Sequence, residues 1–158
     1  MAVAVASCAP TATAADGCLV LLCLAAADWT SIGQCVPPVT SVLRDLARGR
    51  PFPSCPMSGA GNTATVQSSN APDNCPPQYT LTIELESGTR YVCQFDGVIA
   101  LTIDGAPWSR TWWSGAGDSV TDFLPAAKAS LGWWNLRYDQ DYAAWARARV
   151  APESCDRC

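Results

Sequence analysis

Asp16-Gly-Cys18-Leu-Val-Leu-Leu-Cys23-Leu-Ala-Ala-Ala27, followed by Cys35-Val-Pro-Pro-Val39 and then Leu43-Arg-Asp-Leu-Ala-Arg-Gly-Arg-Pro-Phe-Pro-Ser-Cys55, is the stretch around which the rest of the chain is organised. Apolar residues at Leu19, Leu22, Cys23 and Ala26 recur with the period of one helix face, and Val39, Val42, Leu43 and Leu46 do so for a second helix. The first helix is expected from about Gly17 to Ala27, with a turn over Asp28 to Gly33. Pro37-Pro38 opens the second, where a missing N–H has no partner to lose, and Arg48-Gly49 closes it. Neither helix is long enough to hold in water by itself, since nucleation is unfavourable and stability comes from packing an apolar face. Residues 16–50 therefore read as a helical hairpin stapled by cysteines.

Working outward, 51–78 is rich in Pro, Gly, Ser and Asn and reads as one long loop, with Cys55 and Cys75 near its ends to tie it down. Whether those two join each other or anchor to flanking elements is open at this level. Tyr79, Leu81, Ile83 and Leu85 alternate with Thr80, Thr82, Glu84 and Glu86, the period of a strand with one buried face. Tyr91, Cys93 and Phe95 continue the alternation. Asp96-Gly97 and Asp104-Gly105 are hairpin signals, because both positions tolerate positive φ. Residues 79–113 are thus expected to form an antiparallel meander of about four strands. Ser119-Val-Thr-Asp122 resembles a capping box and predicts a helix through Ala129, stopped by Gly132. A last helix over Tyr138 to Val150 carries Tyr138, Tyr142, Trp145 and Arg149 at helical spacing, a stripe expected to pack on the sheet. The fold class is α+β: a helical hairpin, a β-meander, C-terminal helices over 118–150 and a cysteine tail over 151–158, all one domain from residue 16.

The composition is that of a globular chain. It has 158 residues, 49% hydrophobic and only 15% charged, with a net charge of −4 and a pI near 4.6. A nucleic-acid surface needs a clustered basic stripe to displace phosphate counterions. Here nine of the ten basic residues are scattered arginines, so no nucleic-acid partner is expected. Nine cysteines without a single histidine point to a disulfide framework in an oxidising space rather than to zinc, whose sites pair Cys-x-x-Cys knuckles or add histidines. Only Cys155-Asp-Arg-Cys158 has the knuckle spacing.

Residues 1–15 are small, apolar and uncharged and end in Ala14-Ala15, compatible with an export segment, although a basic start is missing. Three readings compete. Cleavage after Ala15 leaves eight cysteines: Cys18, Cys23, Cys35, Cys55, Cys75, Cys93, Cys155 and Cys158. A lipobox-like Val5-Ala6-Ser7-Cys8 would make Cys8 a lipid anchor and also leaves eight. Taking Leu19 to Ala27 as the signal's apolar core leaves six. The run from Cys18 to Ala27 is too short for a bilayer, which takes about 20 residues. Eight cysteines allow 105 pairings; Cys23 with Cys35, Cys75 with Cys93, and Cys155 with Cys158 are the favoured ones.

Enzyme chemistry finds little purchase. Without histidine there is no Ser-His-Asp triad and no Cys-His pair. Cys155 and Cys158 lack the strand-then-helix setting of a thioredoxin-like motif, so a structural staple is the better reading. Glu84 and Glu86 share a strand face as glycosidase carboxylates would, yet Glu/Thr alternation is what a solvated face looks like. Gly115-Ala-Gly117 lacks the further Gly and the Lys of a phosphate loop. No cofactor, metal or small-molecule ligand is expected. Among the seven tryptophans, the adjacent pair Trp112-Trp113 on a strand must face opposite ways. Burial of most of these rings in the core of a disulfide-rich domain is the favoured reading; beside it, an exposed patch of Trp108, Trp112 and Trp113 is the candidate binding surface, since amphipathic rings suit an interface or a sugar face.

The small-residue segment ending Ala14-Ala15-Asp16, the cysteine-flanked apolar helix, the cysteine-led second helix and the final Cys55 after an Arg-containing turn resemble the TrbM/KikA/MpfK family. The likeness covers the first third to two fifths of the chain and rests on cysteine spacing. Proteins of that family are conjugal-transfer proteins of plasmids and integrative elements. The resemblance implies a periplasmic accessory protein of a conjugative type IV secretion system, concerned with mating-pair formation or the pilus and binding other components of that apparatus. A secreted peptidoglycan- or carbohydrate-binding module using surface tryptophans is the alternative.

Overall fold

A computed structural model describes residues 16–150. The export segment 1–15, the lipid-anchor reading of Cys8 and the Cys155–Cys158 pairing lie outside the described residues. The fold is α+β, in the order α1 (Gly17–Ala25), α2 (Val36–Ala47), β1 (Thr63–Ser68), β2 (Thr80–Leu85), β3 (Gly88–Cys93), β4 (Gly97–Ile103), β5 (Ala106–Trp113), β6 (Ser119–Phe123), α3 (Pro125–Leu131) and α4 (Arg137–Val150). Short 3-10 turns sit at Trp29–Ser31 and Pro77–Tyr79.

The N-terminal hairpin forms as its sequence dictates, with one correction. Asp16 caps α1 by accepting from the N–H groups of Cys18 and Leu19, and Pro37 and Pro38 lie in the first turn of α2. Val39, Val42 and Leu43 are buried as their spacing predicts. On α1, however, the buried residues are Gly17, Val20, Cys23 and Leu24, while Leu19 and Leu22 are exposed. That helix is apolar on every side, so periodicity cannot choose its inner face. Two tertiary constraints do: the Cys23–Cys35 disulfide pulls one side toward α2, and Gly17 lies so close to the Ser54 carbonyl that any Cβ would collide with it.

The strands divide into two sheets rather than one continuous meander. Four form an antiparallel sheet in the order β1-β4-β5-β6, and β2 pairs with β3 alone. The expected loop over 51–78 contains β1, which pairs with β4 from Thr63↔Thr102 to Ser68↔Gly97. Asp104-Gly105 makes the β4–β5 turn, both residues at positive φ (50° and 76°) as a primed hairpin turn requires. Asp96-Gly97 does not make a hairpin. Gly97 instead leaves room for the Trp113 indole, whose Cζ2 would lie 2.5 Å from an added Cβ. The capping-box expectation also fails: Ser119–Phe123 is β6, paired with β5, and the following helix begins at Pro125. A cap needs only four residues of local sequence, whereas the open edge of β5 offers a whole ladder of hydrogen bonds, and the ladder prevails. Gly132 ends α3 at positive φ as expected.

Both faces of the four-stranded sheet are packed at its centre, while the edge strand β1 stays largely exposed. On one, α1 and α2 bury Val20, Leu24, Val39 and Leu43 against Ile99, Leu101 and Trp113. On the other, Val98, Trp112 and Val120 pack with Cys75, Tyr79 and Phe95, and Tyr138 of α4 lies against them. The successive residues Val98 and Ile99, like Trp112 and Trp113, point to opposite sides and are buried on both.

Among the described residues three disulfides join Cys18 to Cys55, Cys23 to Cys35, and Cys75 to Cys93. The last two are the favoured pairings among these cysteines. Cys55 and Cys75 each anchor to a flanking element, not to one another. Loops of 37, 12 and 18 residues are closed, which by chain entropy contributes roughly 3 to 4 kcal/mol each.

Candidate binding surface

The expected aromatic patch is not on the surface. Trp112 and Trp113 are 2% and 5% exposed, because elements pack on both faces of the sheet at the end of β5 that carries them. Trp112 stacks on Tyr138, centroids 5.6 Å apart and planes 11° off parallel, and its indole N–H donates to the Asn74 carbonyl at 2.9 Å. Trp108 is partly buried, with its N–H donated to the Ala25 carbonyl at 3.0 Å, so it ties β5 to the end of α1. All three serve the core. The strongly exposed tryptophan is Trp133, at 60%, between α3 and α4. Beside it Trp134 is held, its N–H donating to Asp139 and the Lys128 ammonium lying over its ring.

The polar groups next to this core are structural in their bonding. The buried Tyr79 hydroxyl donates to Asp141 at 2.6 Å, linking the 3-10 turn to α4. Burial first, and then the Asp141 carboxylate, push the Tyr79 phenol far above its ordinary range. Burial likewise raises Tyr138, with Asp122 acting in the same direction. Arg137 forms two bonds to Asp118, at 2.8 and 3.1 Å, and those bonds hold the Asp118 carboxyl below its usual value. Arg110 and Asp122 pair at 2.7 Å across β5 and β6. The distal part of the expected aromatic stripe on α4 is not packed on the sheet: Tyr142 is exposed and touches Trp145 of its own helix.

What the structure does expose is the β2–β3 hairpin. Cys75–Cys93 and the bond from the Gln94 N–H to the Tyr79 carbonyl fix its base. Beyond that base no other described element covers it. Leu81, Ile83 and Leu85 are 47%, 40% and 48% exposed. With Leu81 opposite Val92 and Ile83 opposite Arg90, these side chains share one face of the ribbon. On the other face Tyr91 is exposed and Thr89 donates to Glu84 at 2.9 Å. The alternation at 79–85 correctly marks a strand, but its apolar side meets solvent. Periodicity reports which residues share a face and not whether anything covers it.

A second exposed apolar feature is a groove of about 400 Å³ between α1 and the sheet edge. Leu21, Leu22, Met57, Leu101 and the Cys18–Cys55 bridge line it. Among the described residues no cluster of three or more His, Cys, Asp or Glu could hold a metal ion, and no helix is long and apolar enough to cross a membrane. Six sulfurs are bonded to each other, as in proteins of oxidising compartments. In comparisons with known proteins, no family model, curated protein or solved structure matches the chain.

Proposed function

We propose that this chain is a periplasmic accessory protein of a conjugative type IV secretion system, acting by binding in mating-pair formation or pilus assembly. The observation that carries the reading is the pairing of Cys18 with Cys55 and Cys23 with Cys35. It makes the stretch that resembles TrbM/KikA/MpfK proteins one cross-linked unit, as an oxidising compartment favours. An uncovered apolar ribbon at β2–β3 supports binding as the mode of action, since contiguous exposed apolar surface marks interaction sites. The test is deletion of the gene from its native element. Loss of plasmid transfer, restored by the wild-type chain exported to the periplasm but not by a cytoplasmic version, is the expected result. Transfer at wild-type frequency after deletion would sink the proposal.

The exposure of Trp133 favours a second reading, a peptidoglycan- or carbohydrate-binding module. It predicts cosedimentation with isolated peptidoglycan that is lost in Trp133→Ala. Because that ring is largely in solvent, the substitution leaves the fold intact, and loss of binding would report the contact itself.

A further inference from the structure

The outer edge of β2 has no strand partner among the described residues, β3 being its sole strand neighbour there. Tyr79 and Gln94 are joined by a backbone hydrogen bond, and in an antiparallel ladder bonded pairs recur at every second residue. The bonds to β3 therefore fall at Leu81/Val92, Ile83/Arg90 and Leu85/Gly88. Thr82 and Glu84 then direct their N–H and C=O groups away from β3. Such an unpaired edge is a ready template for another strand.

The sequence along this edge is Leu81-Thr82-Ile83-Glu84-Leu85, whose apolar positions are symmetric about Ile83. A two-fold interface demands a self-complementary patch, and symmetric apolar overlap together with charge favours one register. Centring on Ile83 makes Thr82 and Glu84 of one copy the bonded partners of Glu84 and Thr82 of the other. Leu81 then meets Leu85, Ile83 meets Ile83, and Leu85 meets Leu81, all on the apolar face. Centring on Glu84 instead sets two carboxylates directly opposite, which is destabilising. Pairing through the outer edge of β3, where Thr89 and Tyr91 face outward, centres on Arg90 and sets two guanidinium groups opposite. We propose that two copies of this protein associate through antiparallel β2–β2 pairing centred on Ile83, joining their hairpins into one four-stranded sheet. The inference rests on hairpin geometry and stands or falls independently of the conjugation reading.

Ile83 would lie opposite itself in a non-hydrogen-bonded pair, with Cα atoms about 4.5 Å apart, within the span a disulfide bridges. The test uses the full chain with its native disulfides formed. Sedimentation velocity from about 10 µM to 1 mM, the regime of small transient interfaces under about 1,200 Å², is expected to show a monomer–dimer equilibrium. Ile83→Glu should remain monomeric with unchanged circular dichroism, because its carboxylate faces Arg90 within its own hairpin but another carboxylate across the dimer. Ile83→Cys should oxidise to a dimer bridged at position 83, identified by non-reducing peptide mapping, roughly tenfold faster than Leu81→Cys, whose partner is position 85. A wild-type chain that stays monomeric throughout, or equal cross-linking at positions 81 and 83, overturns the proposal. So does capture of this edge only by a strand of a different protein.

Discussion

Removing the Cys23–Cys35 bridge by the double substitution Cys23→Ala/Cys35→Ala tests whether sulfur cross-links hold the helical hairpin together. Both residues are buried, at 1% and 5% exposure, and the bridge closes a loop of 12 residues. Restoring that loop's freedom to the unfolded chain costs about 3 kcal/mol. The small sulfur void beside Val20, Val39 and Leu43 adds about 1 kcal/mol. Against a total stability of about 5 to 15 kcal/mol for a domain of ordinary size, a loss of about 4 kcal/mol is a large share. At roughly 2 cal/mol/K of unfolding entropy per residue, it corresponds to a fall in Tm of about 10 to 15 °C. Calorimetry of the oxidised variant, with the other two bridges confirmed by peptide mapping, measures it. A Tm within about 2 °C of wild type would refute the reasoning, since α1 and α2 would then be held by packing alone.

Three further outcomes follow from the core and its polar edge. Trp112→Ala should cost about 3 to 5 kcal/mol in chemical denaturation, because the ring is buried and stacked on Tyr138, whereas Trp133→Ala should stay within about 0.5 kcal/mol of wild type. Tyr79→Phe should lose about 1.5 to 3 kcal/mol, the range for a bond to a charged acceptor, and raise amide exchange in α4. In the wild type the folded-state pKa of Tyr79 is raised above its ordinary 10.0, so its contribution is fully present below pH 10 and is lost only as pH rises through the folded value. An ultraviolet titration of the native protein should find this phenol resisting ionisation as pH rises past its ordinary value. Asp118 has the opposite sign: lowered by Arg137, it contributes stability above the unfolded carboxylate value of about 3.9 that is lost as pH falls through the folded one. Stability curves of wild type and Asp118→Asn should therefore converge below about pH 4.

The sequence by itself determined what short-range chemistry can specify. Proline at the start of α2, Gly132 after α3, the positive-φ pair Asp104-Gly105, the strand period read from Tyr79 to Leu85 and the helical period read from Tyr138 to Val150 are each local, and each has its element in the fold. The cysteine count announced a cross-linked framework, and three bridges stand among the described residues. Tertiary structure decided what depends on partners distant in the chain. Thr63–Ser68 is a strand because β4 offers it an edge, and Ser119–Phe123 is a strand because β5 does. The uniformly apolar α1 turns its Val20 face inward because a disulfide and the Ser54 carbonyl fix its rotation. Trp112 and Trp113 are both hidden because separate elements pack on the two faces of one sheet, while Leu81, Ile83 and Leu85 are in solvent because no described element covers theirs. Alternation encodes sidedness within a strand; burial is a property of what arrives from elsewhere, and only the folded chain contains that information.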